Sequence, residues 1–143
     1  MKTLRYFFIA FASLSILASC SKKSDDAVNP DVGAELAGSY NVTKVRMANG
    51  QMGTVQAGFT KTIRLTRVSE TQVDLTLRFE QPGKSPLTVE FKEYIELKRS
   101  GRTTNLYAPD GVSQIGSYND GTIELKVNDT SDGFEGTFFG QKQ

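Results

Sequence analysis

The chain has 143 residues, with 17 Lys+Arg against 16 Asp+Glu and a net charge of +1. It contains no His, no Trp and a single cysteine, Cys20. These counts exclude the usual ligands of a zinc site, the imidazole base of a catalytic triad and any disulfide within the chain. The balanced charge gives no electrostatic footprint for nucleic acid. No cofactor is implied, and no nucleophile, base and metal ligands come together in a recognisable pattern, so the chain is expected not to be an enzyme.

Lys2 and Arg5 open the sequence and are followed by the uncharged, mostly apolar run Tyr6 to Leu17. Spanning a bilayer core of about 30 Å takes roughly 20 residues, so this run is too short to be a membrane helix. A positive start and a short apolar stretch are the layout of a secretory signal peptide.

The run ends in Leu17-Ala18-Ser19-Cys20, which resembles the lipobox of bacterial lipoproteins. The resemblance implies cleavage that removes residues 1–19, lipidation of the Cys20 thiol and acylation of the new amino terminus with palmitate-type chains. Several acyl chains hold a protein firmly to a bilayer, so the membrane becomes a partner through the anchor. Residues 20–33 are expected to form a lipidated tether, because Ser21 to Asp31 is polar, charged and interrupted by Pro30. In that family a residue other than Asp after the cysteine, here Ser21, implies the outer membrane, facing the periplasm or the cell surface. Ser24-Asp25-Asp26 resembles the acidic export signal of surface lipoproteins of Bacteroidota, and a solvated linker accounts for the same residues equally well.

From Ser39 onward short runs alternate apolar and polar residues, with turn chemistry between them and no amphipathic helix of useful length. Ser39–Met47 is the first expected strand. Its apolar phase is even at Tyr40 and Val42 but odd at Val45 and Met47, so a bulge or kink is expected near Thr43-Lys44. A long connection, Ala48 to Gly58, follows. Phe59–Val68 then places Phe59, Ile63 and Leu65 on one phase. Thr71–Glu80 has the cleanest pattern, with Val73, Leu75, Leu77 and Phe79 on one face and polar residues on the other. Leu87–Lys98 carries Leu87, Val89, Phe91, Ile95 and Leu97. Thr103–Ala108, Val112–Tyr118, Thr122–Asn128 with Ile123, Leu125 and Val127 on one phase, and Phe134–Gln141 complete the series. Ser69-Glu70, Gln81-Pro82-Gly83, Ser100-Gly101, Pro109-Asp110-Gly111, Asn119-Asp120-Gly121 and Asp129 to Gly133 supply the turns.

Links this short pair strands antiparallel. About eight strands joined by hairpins point to an all-β, single, up-and-down antiparallel barrel, since closure removes both exposed edges. A two-sheet β-sandwich is the alternative. Leu36-Ala37-Gly38-Ser39-Tyr40, a kinked strand and a long first loop also resemble the opening of lipocalin-like domains, including those of Bacteroidota lipoproteins. Tyr40 stands where lipocalins carry Trp. The resemblance implies a lipocalin-like barrel over residues 34–143.

Other motifs carry less. Asn128, Thr130 and Asp132 sit at calcium-loop spacing before Gly133, but the position that needs a bidentate Glu is Phe139, so a hairpin turn is expected there. Asn41-Val42-Thr43 and Asn128-Asp129-Thr130 match a glycosylation triplet too short to mean much. Lys98-Arg99-Ser100-Gly101-Arg102 is a basic turn, read either as a solvated tip or as a contact for phosphate or acidic sugars. Lys61 and Glu93 fall on apolar phases. They are either inward charges that need a partner or, with Tyr94 taking the inner place, residues turned to water.

An eight-stranded barrel is just wide enough to be filled by side chains or to hold one small ligand. The hollow reading is a non-catalytic, lipid-anchored envelope protein binding a small apolar ligand. Its pocket is expected at Tyr40, Met52, Val55, Leu75, Leu77, Phe91 and Phe138, open at the Ala48 to Gly58 end. The filled reading is a structural or interaction lipoprotein that binds protein or glycan, with Phe59, Phe79, Phe91, Phe134 and Phe138 interdigitated. The oligomeric state is not legible in the sequence.

Overall fold

The computed structural model describes residues 30–91, 93–129 and 134–143. The expected signal peptide, Cys20, the tether up to residue 29 and the turn at 130–133 lie outside the described residues. A short helix, α1 (Val32–Leu36), leads into ten strands. These are β1 (Gly38–Arg46), β2 (Met52–Thr54), β3 (Thr60–Ser69), β4 (Gln72–Glu80), β5 (Leu87–Glu90), β6 (Ile95–Ser100), β7 (Thr103–Tyr107), β8 (Gln114–Asn119), β9 (Thr122–Asp129) and β10 (Phe134–Lys142).

All pairings are antiparallel, in the order β10-β9-β8-β7-β6-β4-β3-β1. The last strand returns to the first, with registers running from Tyr40↔Lys142 to Arg46↔Thr137. Closure by β1 and β10 makes one eight-stranded barrel, and the sandwich alternative is not formed. β2 pairs with β1 beyond the point where β3 stops, and β5 pairs with β4 beyond β6. Each is thus the far portion of an interrupted strand. The long first connection therefore holds a strand, and the run expected as Leu87–Lys98 is broken between Glu90 and Ile95.

The phase slip in β1 has its expected cause: the register against β10 shifts between Val42 and Lys44. Thr43 is the extra residue, so Val42 is buried on one side of it and Val45 packs on the core from the other. At the β8–β9 turn Asp120 and Gly121 both have positive φ, 46° and 79°. That is the primed turn whose twist suits a hairpin.

Antiparallel up-and-down order gives the barrel two unlike ends. At one end α1 is seated across β3, β4 and β6, with Val32 and Leu36 buried. Five residues do not hold a helix in water, so tertiary contacts must do it. The Asp31 side chain accepts from the Ala34 N–H at 2.8 Å as N-cap. Gly33 donates its N–H to Glu70 O at 2.8 Å. A Cβ on Gly33 would lie 2.1 Å from Ser69 O, so only glycine lets the helix seat this closely. Asp31 pairs with Arg67 at 2.8 Å, Glu35 pairs with Arg99, and Lys142 Nζ donates to Glu35 O at 2.6 Å. Val32 and Gly33, expected in the tether, thus belong to the folded body, because Val32 is apolar and has a core to enter.

The hydrogen bonds from Arg67 and from the Ala34 N–H hold the Asp31 carboxyl below its ordinary range. A depressed carboxyl in the folded state stabilises above the unfolded value, near 4, and that stabilisation is lost as pH falls through the folded value. Acidification from about pH 6 to pH 3 is therefore expected to loosen α1 before the barrel opens. Hydrogen exchange at the Gly33 and Ala37 amides reads this directly. Asp31→Asn should show the loosened state at both pH values.

The core fills the α1 end. Leu36, Tyr40, Ile63, Leu65, Leu106 and Ile123 are buried with 2% exposure or less. Tyr40 donates its hydroxyl to Leu36 O at 2.5 Å and meets Tyr118 edge to face at 6.1 Å. Burial pushes the Tyr40 phenol far above its ordinary value, with Tyr118 and Glu35 adding to the shift.

Candidate functional site

The other end of the barrel is not filled. A cleft of about 600 Å³ lies there between the broken strand β5–β6, the β7–β8 turn and β9. Leu75, Phe91, Ile95, Ala108, Pro109, Ile115, Leu125 and Val127 form its apolar walls. Glu93, Ser113, Gln114, Lys126 and Asn128 also line it, and all five are exposed. The volume is in the range of small-molecule sites, roughly 300–1,000 Å³.

Three local features make the cleft. First, the interruption after Glu90 removes the stretch of β-ladder that would otherwise run beside β7. Phe91 stays fixed because its N–H donates to Leu75 O at 3.0 Å. Second, the β7–β8 turn is held rigidly as one wall. The Asp110 carboxylate accepts from the Val112 N–H at 2.9 Å, the Ser113 N–H at 2.8 Å and the Ser113 hydroxyl at 2.6 Å. Those bonds, the Ser113 hydroxyl foremost, lower the Asp110 carboxyl from its ordinary range. Lys98 Nζ crosses to Gly111 O at 2.5 Å and lies 4.5 Å from the centre of the Tyr107 ring.

Third, the register of β7 against β8 shifts between Leu106↔Gly116 and Tyr107↔Gln114, leaving Ile115 as an extra residue. The bulge brings Ile115 onto the cleft and the edge of the core. A Cβ on Gly116 would stand 2.3 Å from Glu124 O, so the bulge requires glycine there.

The seven expected lining residues are scattered. Leu75 and Phe91 line the cleft. Tyr40 lies in the filled end, because α1 supplies a carbonyl for its hydroxyl. Leu77 and Phe138 are packed core, 1% and 2% exposed. Val55 packs against the core from the first connection. Met52 is 53% exposed on β2, which closes the wall on the far side of the barrel. Ile95, Leu125 and Val127 were legible as inward residues but not as cleft residues. Ile115 was missed, although its parity differs from that of Tyr118, the same kind of signal that marks the bulge in β1.

Of the inward charges, Glu93 is exposed at the cleft and Ile95, not Tyr94, takes the inner place; Tyr94 is 41% exposed. Lys61 is half-buried, with Nζ 5.4 Å from the Phe79 ring centre and 5.7 Å from that of Phe138. Burial lowers its pKa. Phe79 and Phe138 meet edge to face at 6.2 Å, a contact between two of the five phenylalanines expected to interdigitate. Phe59 is 37% exposed and stands outside such a cluster. The basic turn spends its charge internally: Lys98 binds Gly111 O, and Arg99 binds Glu35 and Gly101 O.

Among the described residues no group of three or more His, Cys, Asp or Glu is placed to hold a metal, and no helix is long and apolar enough to cross a membrane. The cleft offers shape and apolar surface, with polar groups confined to exposed positions. Compared with known protein families, curated proteins and solved structures, the chain matches none.

Proposed function

We propose that the protein is a lipid-anchored barrel of the cell envelope that takes a small apolar molecule into the cleft between β5–β6, the β7–β8 turn and β9. The observation that carries this reading is the cleft itself. Closing it over would remove the apolar walls from water, which is favourable. Here a glycine-dependent bulge, a strand break and a clamped turn all maintain it. The filled alternative suits the α1 end of the barrel, and the open end favours the ligand.

The anchor reading rests on the lipobox at Leu17 to Cys20, and the outer-membrane reading rests on Ser21 after it. α1, which leads into β1, lies at the filled end, and the cleft lies at the opposite end. Cys20→Ala is expected to leave the barrel folded and to move the protein from washed membranes to the soluble fraction. Retention of the variant in the membranes would refute the anchor.

The ligand reading is tested with Nile red, a neutral apolar dye whose emission rises in dry surroundings. The wild-type barrel is expected to bind it saturably. Ile115→Trp fills the cleft with side chain and should weaken binding by about tenfold, roughly 1.4 kcal/mol, without lowering the melting temperature. Equal dye binding by both proteins would place the dye elsewhere and defeat the reading.

A further inference from the structure

The cleft begins at Phe91, the residue that follows β5, and the edge of β5 is unpaired among the described residues; the two features fit one occupant. Among the described residues β5 pairs only with β4, through Thr76↔Glu90, Leu77↔Val89, Arg78↔Thr88 and Phe79↔Leu87. The Phe91 N–H donates to Leu75 O. In an antiparallel ladder, hydrogen-bonded residues alternate with residues whose N–H and C=O point the other way. Leu87, Val89 and Phe91 therefore bond to β4. The N–H and C=O groups of Thr88 and Glu90 face away from it, and among the described residues nothing pairs with them.

From these placements, and resting on the reading of the cleft as a binding site, we infer that the cleft receives an extended peptide segment, which adds as a strand to the free edge of β5. Neighbouring residues across a ladder share a face of the sheet. Val89 packs on the core and Phe91 lines the cleft. The residue of an added strand opposite Phe91 projects over the cleft, the one opposite Val89 lies on the same face, and the intervening residues face water. Alternate apolar side chains then occupy the space between Phe91, Ile95, Ile115 and Val127. The main-chain bonds to Thr88 and Glu90 fix the register. This is strand addition, in which the backbone supplies affinity and alternate pockets supply specificity.

A second copy of the chain fits less well. If two β5 edges met, the inward residues of the partner strand would be its own Val89 and Phe91, which already pack in their own barrel. They would leave the cleft empty. A free extended segment has side chains to place there.

The probe is a fluorescein-labelled synthetic heptapeptide that alternates valine with threonine and carries a lysine at each end. The wild-type protein should bind it saturably, with the Thr88 and Glu90 amides gaining protection from exchange. Ile115→Trp should weaken peptide and Nile red alike. Glu90→Pro removes one outward N–H that the β4 ladder does not use, so it should weaken the peptide by about tenfold and leave Nile red unchanged. Should that variant unfold, a peptide N-methylated at the residues facing β5 tests the same bonds on the wild type and is expected not to bind.

Saturable Nile red binding without peptide binding would overturn the strand and keep the apolar site. Binding of the N-methylated peptide as tightly as its parent would also overturn it. So would a dimer in sedimentation that Glu90→Pro converts to monomer, since the edge would then serve a second copy. Failure of both probes would remove the site as well.

Discussion

Tyr40→Ala is expected to lower stability by about 3–5 kcal/mol, the usual cost of removing a large buried aromatic side chain. Tyr40 is fully buried beneath α1, meets Tyr118 edge to face and donates to Leu36 O. It also lies over Gly140, whose hypothetical Cβ would come within 3.1 Å of the Tyr40 Cβ. Tyr40→Phe separates the terms. It keeps the packing and leaves the Leu36 carbonyl without its buried partner, at a cost of about 1–3 kcal/mol. A domain of this size has roughly 5–15 kcal/mol in total, so the alanine variant should be close to its folding limit. Urea melts of the three proteins give the comparison. If Tyr40→Ala cost less than Tyr40→Phe, the ring would not be packing as described.

Leu77→Ala should cost about 3–5 kcal/mol and Leu75→Ala about 2 kcal/mol, within the range for buried leucine. The two residues share the inner face of β4, 1% and 3% exposed. Leu77 sits in filled core, whereas Leu75 borders the cleft and loses fewer neighbours on truncation. Thr76 between them faces outward, and Thr76→Ala should stay within about 0.5 kcal/mol. Thermal and urea melts of the three variants test strand phase and hollowness together. Equal losses from Leu75→Ala and Thr76→Ala would contradict the phase. Equal losses from Leu75→Ala and Leu77→Ala would contradict the cleft.

Much of the barrel was legible because strand phase is a local property. Alternation in Thr71–Glu80 places Val73, Leu75 and Leu77 inside, and all three are buried. The slip between Val42 and Val45 placed a bulge where the register shifts. The break between Glu90 and Ile95 left no such mark. It preserves the parity of Phe91 and Ile95, so the run reads as one strand.

The site was less legible because sequence pattern gives the inward direction but not the height along the barrel. Tyr40 and Leu75 are both inward, yet one end is filled and the other hollow. What separates them is α1, a five-residue helix with too short a pattern to stand out. Its docking depends on Gly33 against Ser69 and on the Asp31–Arg67 and Glu35–Arg99 pairs, contacts between positions far apart in the chain. Ile115 is the exception, since its parity against Tyr118 marked the second bulge.

The barrel is filled at the α1 end and has an apolar cleft at the other. Xenon tests this most directly, because it enters apolar cavities without needing any specific contact. Methyl resonances recorded under increasing xenon pressure should move in a saturable way for Leu75, Ile95, Ile115, Leu125 and Val127. Those of Leu36, Leu65, Leu97 and Leu106 should stay in place. Shifts confined to the α1 end, or no shifts at any of these methyls, would contradict the account.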